Sequence, residues 1–302
     1  MRVTNAIIKR NSQFRLQQGL QGMDRAREDI STGIRLRKIS DDPANGGQVV
    51  RIGSSLRALN QFRRNIDLAA AKTQAEEGVL TQLTNLLDRG AELSITQSNA
   101  TAFSQSRLAA KAEVDQLLSF AASLGNTRFG DEFLFGGNRA GEAPLKNPAP
   151  AVGTFSALEL AGVPVNPSGN PTVEISDNKF ITPTHNATEV FLNTDVLESL
   201  RSLSTALGNN NPADILAAGE RLTAANGNVQ ALIGSVGART NDLDASRLSL
   251  DTIEINLQSQ RADLRDTEID KAMVELVGRQ TLYQAAMSAT SRVLGLSLTT
   301  YL

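Results

Sequence analysis

The 302-residue chain carries 30 Lys+Arg against 32 Asp+Glu, a formal net charge of −2, with no Cys, no Trp and one His. That composition excludes disulfides, thiolate chemistry and cysteine-based metal sites. No window reaches roughly eighteen apolar residues, so no membrane-spanning helix is expected, and "MRVTNAIIKRNSQF" lacks the apolar run of a cleaved secretory signal.

Charge is unevenly spread. Residues 1–72 hold 14 Lys+Arg against 6 Asp+Glu, and the remainder of the chain is acidic. This asymmetry suits self-association by charge complementarity, and it also raises nucleic-acid binding. Against the latter, Arg2, Arg10, Arg15, Arg25, Arg27, Arg35, Arg37 and Lys38 are dispersed among apolar helix positions. Phe14 and Phe62 are the only aromatic residues in that stretch. A coiled-coil nucleic-acid binder is therefore the remote alternative.

In chain order, Leu16, Leu20, Met23, Arg27, Ile30 and Ile34 recur at steps of three and four, and only Arg27 breaks the apolar stripe of this helix. "ISTGIRLRKISDDPANGG" (30–47) interrupts it. Gly33 stands where a helix C-cap belongs, and Asp42-Pro43 reads as N-cap and first residue of the next helix. Asp41 adds negative charge at that helix's positive end. From Pro43 to about Ser98 the pattern runs through Ile52, Leu56, Leu59, Ile66, Leu80, Leu83 and Leu87. That is about 80 Å of helix, so an elongated rod is expected. Another helix spans Ala102 to about Leu124, and "GNTRFGDEFLFGGNRAG" reads as a turn with a short strand, Phe133–Phe135.

Seven of the nine prolines lie between Pro144 and Pro183. Proline costs about 3 kcal/mol inside a helix, so 141–194 is not helical. Within it "PTVEISDNKFITP" and "ATEVFLN" alternate apolar and polar residues as strands do. Helix resumes near Asp195, breaks at "GNNNP" and continues from Ala213. Leu243, Leu250, Leu257 and Leu264 recur every seven residues. Met273, Leu276, Gln280, Tyr283, Met287, Thr290 and Leu294 follow out of phase, which puts a break at Arg265–Asp270.

Candidates for chemistry are few. His185 reads as a solvated loop residue. Asp41 and Asp42 are better explained as a cap than as an acid–base pair. Gly46-Gly47 and Gly136-Gly137 lack phosphate-loop spacing. Asn99-Ala100-Thr101 and Asn186-Ala187-Thr188 fit the glycosylation triplet. No catalytic, cofactor-binding or metal site is expected.

The expected fold is mainly α with a small β-rich insertion: long antiparallel helices whose two ends pair as a coiled coil. Terminal assembly helices would occupy 1–42 and 266–302, a helical rod 43–140 and 195–265, and an outer β-rich insertion 141–194. The assembly interface is expected to pack Ile7, Phe14, Leu16, Leu20, Met23 and Ile30 against Met273, Leu276, Tyr283, Met287, Leu294 and Leu298. Gly33, Asp41, Asp42, Pro43, Arg265 and Asp270 would form the joint between assembly helices and rod.

These segments carry a resemblance. "ISTGIRLRKISDDPANGG" and the stretch through "LNQFRRNIDLAAAKTQAEEGVLTQLTNLLDRGAELSITQSN" resemble the N-terminal region of the bacterial flagellin superfamily. "LDASRLSLDTIEINLQSQRADLRDTEIDKAMVELVGRQTLYQAAMSATSRVLGLSLTTYL" resembles its C-terminal helices. "FLFGGNRAG" and the "LSLTTYL" ending are most similar to the branch that joins hook to filament. The resemblance implies a structural, non-enzymatic subunit that self-assembles into a ring beside another hook-associated protein and flagellin. It implies an export chaperone, type III export to the extracellular flagellum, and termini that order on assembly. A short flagellin forming the filament itself is the nearer alternative. Flagellins read by innate immune receptors carry Arg-x-Arg-Glu-Leu. Here Arg89-Gly90-Ala91-Glu92-Leu93 departs from it, so that recognition is not carried over.

Overall fold

The computed structural model describes residues 2–99, 102–145 and 169–299. Among the described residues six α-helices dominate: α1 (Arg2–Thr32), α2 (Pro43–Gln97), α3 (Ser104–Gly125), α4 (Val196–Gly208), α5 (Pro212–Arg265) and α6 (Ile269–Thr299). The prolines explain two of the starts. Pro43 and Pro212 each occupy a first helical position, where the missing N–H costs nothing. Two small antiparallel hairpins complete the architecture, β1 (Arg128–Phe129) with β2 (Glu132–Phe133) and β3 (Val173–Ser176) with β4 (Lys179–Ile181). Residues 146–168 of the expected insertion lie outside the described residues.

Two local expectations are corrected. The strand expected at Phe133–Phe135 ends at Phe133, and Leu134 and Phe135 turn into the core. Phe135 meets Phe191 edge to face with ring centroids 5.5 Å apart. "ATEVFLN" is not a strand either. Thr188–Leu192 forms a wide helical turn in which the Asn193 N–H donates to the Thr188 carbonyl at 2.8 Å. Its start is fixed reciprocally: the Glu189 N–H donates to Asn186 Oδ1 at 3.0 Å, and the Asn186 N–H donates to Glu189 Oε2 at 3.2 Å. That is a capping box, which satisfies two donors that a strand would have left for a neighbour.

The chain divides into two compact units, Met1–Ala58 with Ile253–Leu302, and Leu59–Thr252. In the second, the larger core joins α2, α3, α4 and α5 through Leu80, Leu83, Leu87, Val114, Leu118, Leu200, Leu203, Ile215 and Leu222. A smaller cluster seats the β3–β4 hairpin, whose Ile175 and Ile181 cover Ile66, Ala69, Leu243 and Leu250.

Arg107 is buried, and among the described residues its hydrogen-bond partners include no carboxylate. Its guanidinium donates to the carbonyls of Gln97 (3.0 Å) and Asn99 (2.9 Å) and to Asn210 Oδ1. The first two close the C-terminus of α2, and Asn210 belongs to the turn that ends α4. Partial negative charge at those helix ends supplies the counter-charge that a carboxylate would otherwise give.

α5 approaches α2 closely at Gly219. A Cβ there would stand 2.9 Å from the Cβ of Ser94, a separation that rotating the serine does not relieve. Gly219→Ala is expected to cost about 1–3 kcal/mol through overpacking, read as a lower denaturant midpoint at unchanged slope. An unchanged midpoint would show that the two helices separate freely at this point.

Candidate assembly interface

The loop between α1 and α2 is built from backbone needs. Gly33 sits at φ +68°, where a side chain would be strained, and its carbonyl accepts from the Thr267 N–H at 2.9 Å. Ile34 then pairs antiparallel with Asp266. The Arg35 and Leu36 N–H groups both donate to the Arg265 carbonyl (2.9 and 3.1 Å), and the Arg35 guanidinium donates to the Leu264 carbonyl at 3.2 Å. The last carbonyls of α5 have no partner inside their own helix, and this loop supplies one.

Arg37 folds the loop back on α1 by pairing with Glu28 and, at 2.7 Å, with Asp29. Burial pushes the Asp29 carboxyl above the usual range despite Arg37 beside it. Asp41 Oδ2 accepts from the Lys38 N–H at 2.9 Å, which tightens the turn. Asp42 Oδ1 accepts from the Ala44 and Asn45 N–H groups at 3.1 Å each, with Pro43 as the first helical residue. Donation from the Asn45 backbone, reinforced by its side chain, holds the Asp42 carboxyl below its ordinary value. The stabilising contribution of this cap is therefore present above the unfolded-state carboxyl range and is lost as pH falls through the lower folded one. Asp270 is exposed in the first turn of α6, where its charge suits the helix's positive end. Gly33 and Arg265 are thus brought together, while Asp41, Asp42 and Pro43 shape the entry to α2.

α1 and α6 run antiparallel, with Gly19 against Tyr283 and Gly22 against Arg279. Small residues let the two backbones approach: Ala26 and Ala272 are buried with Met23, and a Cβ on Gly19 would touch the Tyr283 ring at 3.4 Å. Of the twelve residues expected at the interface, Met23 is buried and Leu16, Ile30, Leu276 and Tyr283 are partly so. Ile7, Phe14, Leu20, Met273 and Met287 are exposed. The side chains of Leu294 and Leu298 lie outside the described residues. Further apolar residues project from α6, with Val274 75% and Leu282 70% exposed.

His185 is not a solvated loop residue. Its ring nitrogen Nδ1 lies 2.6 Å from Oε1 of the fully buried Glu76, whose other oxygen pairs with Arg239 at 2.9 Å. Asn186 of the second glycosylation triplet is buried and engaged in the cap of the following turn. Thr101 and Ala100 of the first triplet lie outside the described residues. Among the described residues no group of His, Asp and Glu side chains could hold a metal ion, and no helix is long and apolar enough to cross a membrane.

Comparison with known proteins places both helical ends in one family. Residues 3–140 match the bacterial flagellin N-terminal helical region and residues 220–302 the C-terminal helical region. Flagellar hook-associated protein 3 of Escherichia coli (strain K12) is 24% identical over 95% of this chain and 98% of its own length. A flagellin of Halalkalibacterium halodurans is 23% identical over 92% of this chain and 89% of its own. Among solved structures, flagellar hook associated protein-3 from Legionella pneumophila shares the fold with a TM-score of 0.61. It is 12% identical over 72% of this chain and 98% of that one.

Gly33→Ala is expected to lower stability by about 1–2 kcal/mol, because the left-handed backbone is strained with a Cβ. Chemical denaturation followed by circular dichroism reads the loss. A midpoint equal to that of the unaltered chain would show that the loop relaxes out of this geometry.

Proposed function

From the premise that this chain belongs to the bacterial flagellin family, matched at both helical ends, we propose that it is a structural subunit of the flagellum. It polymerises through α1 and α6 and joins hook to filament. One observation carries the reading: the α1–α6 seam closes at Gly19, Gly22, Ala26 and Ala272 around Met23 and Tyr283, while Phe14, Leu20, Met273, Val274, Leu282 and Met287 are exposed. An isolated antiparallel pair with so thin a seam is marginal, because most of its apolar surface stays in water. Each large side chain that a neighbouring copy covers contributes about 1.5–3 kcal/mol, and several per subunit offset the entropy of fixing two long helices. The interface is weak in one copy and strong in a closed ring.

The junction role is favoured by the hook-associated relative, which aligns over nearly the whole of both chains. A filament-forming role keeps support from the flagellin of Halalkalibacterium halodurans, which aligns over almost as much. In the junction reading the neighbours are further copies of this chain in a ring, another hook-associated protein, and flagellin. The route outward is type III export to the extracellular flagellum, with an export chaperone holding the exposed apolar face of α6 beforehand.

The test separates folding from assembly. Phe14→Asp and Leu282→Asp alter exposed side chains, so each variant should keep the thermal stability of the monomer. In a strain lacking the native gene, each should lose filament attachment at the hook and most motility. Normal filament attachment with both variants would overturn the assembly surface. A purified chain that alone grows into long filaments would instead favour the flagellin reading.

A further inference from the structure

We propose that Glu76, His185 and Arg239 form an acid-released latch that holds the strap 183–187 across α2 and α5. The inference stands apart from the assembly reading, since it concerns the second unit alone and none of the exposed residues of α1 and α6.

The strap follows β4 and is gripped through polar atoms at Pro183 and His185, while Ala187 at its far end is buried in the core and its N–H donates to the Phe135 carbonyl at 2.9 Å. The Pro183 carbonyl accepts from Thr73 Oγ1 of α2 and from Arg239 Nη1 of α5, both at 2.9 Å. The His185 N–H donates to Glu76 Oε1 at 3.1 Å. Glu76 is fully buried, and both its oxygens are used: Oε1 by His185, Oε2 by Arg239 at 2.9 Å. A buried carboxylate stripped of these donors is costly, so the strap and the Glu76–Arg239 pair depend on each other.

The ring of His185 fixes the protonation state that closes the latch. Nδ1 stands 2.6 Å from a carboxylate oxygen and so carries a hydrogen. Nε2 faces Arg239 Nη2 at 3.3 Å and Ser235 Oγ at 3.4 Å. A guanidinium only donates, so the form we assign to the closed latch is the neutral imidazole whose Nε2 accepts from Arg239. The charged groups facing the ring are then one carboxylate from α2 and one guanidinium from α5, and they cancel. On the strap's own side, Glu189 is engaged with Asn170 and Asn186, and Lys179 with Asp242.

A second ring proton has to sit on Nε2, against the donors of Arg239. It leaves a net positive charge in a site where the Arg239 side chain is 12% exposed and that of His185 15%. The least costly relief is local: the strap lifts, His185 reaches water, and Glu76 keeps Arg239. The opening stops at Ala187, because Val190 and Phe191 beyond it are fully buried in the core. In such a latch acid loosens the return limb of the 141–194 insertion without unfolding the helices beneath.

His185 is the only histidine in the sequence, so histidine-selective ¹⁵N labelling of the full chain gives one ring to read. At about pH 8 the ring should show a hydrogen on Nδ1 and a lone pair on Nε2, and on acidification to about pH 5 it should gain the second proton. Over the same range amide exchange at His185, whose N–H is held by Glu76, should, after correction for its intrinsic pH dependence, lose about tenfold or more in protection while Ala187, α2 and α5 keep theirs. His185→Gln donates to Glu76 and accepts from Arg239 without titrating, so it should show no acid step. A hydrogen on Nε2 at the higher pH, unchanged protection at His185 on acidification, or the same acid step in His185→Gln would each overturn the latch. Should that variant fail to fold, the ring and amide measurements on the unaltered chain decide alone.

Discussion

A helix ends in carbonyl groups that no residue of that helix can satisfy, and both units of this molecule are organised around that deficit. In the first unit the loop after α1 presents the Arg35 and Leu36 N–H groups and the Arg35 guanidinium to the last carbonyls of α5. In the second, the guanidinium of Arg107 closes the end of α2 and reaches the turn that ends α4. Each cap ties together segments far apart in sequence, so the helix terminus becomes the point where the chain is cross-braced. Arginine suits the task because its planar fork reaches several acceptors at once and keeps its charge. The negative end of a helix macrodipole then serves as counter-ion, which lets Arg107 lie buried without a carboxylate.

The same bracing sets what the terminal pair can do. The pairing of Gly33 and Ile34 with Thr267 and Asp266 aligns α1 antiparallel to α6, and Gly19, Gly22 and Ala26 then let the backbones come close. Close approach has a consequence for the larger residues. With little room in the seam, Phe14, Val274 and Leu282 stay outside. Gly19, Gly22, Ala26 and Ala272 let the pair close around Met23, and the larger Phe14, Val274 and Leu282 stay exposed.

Much of this was legible in sequence because its causes are local. The helix start at Pro43, the break at "GNNNP" ahead of α5, the glycine stop at Gly33, the cap at Asp42 and the break after Arg265 each follow from one or two residues whose backbone preferences are strong. What escaped has its causes elsewhere. The partners of Arg107 are backbone carbonyls, which every residue carries and no pattern announces. The heptad count weighted large residues and so passed over Gly19 and Gly22, whose value is absence of bulk. At Thr188–Leu192 a signal was present and outweighed: Asn186 and Glu189 stand at capping-box spacing, yet the alternation of "ATEVFLN" read as a strand. His185 was misplaced because Glu76 and Arg239 lie more than fifty residues away on either side, and only the fold brings them to it.

The segment around Pro183 and His185 is attached on a different principle from the helices it rests on. The helices bury aliphatic side chains, a non-directional attraction that tolerates sliding and substitution. The strap is instead gripped atom by atom, through the Pro183 carbonyl, the His185 N–H and ring, and a carboxylate with no exposure. The hairpin before it is held in both ways. Ile175 and Ile181 pack on the helices, while Asn65 donates to the Glu174 carbonyl at 2.7 Å and Lys179 pairs with Asp242. Directional bonds fix register where apolar contact does not, and they fail abruptly rather than gradually when one donor or acceptor changes. A segment held this way keeps one orientation on its support until a proton or a substitution removes a bond. It can then let go while the apolar core below stays closed.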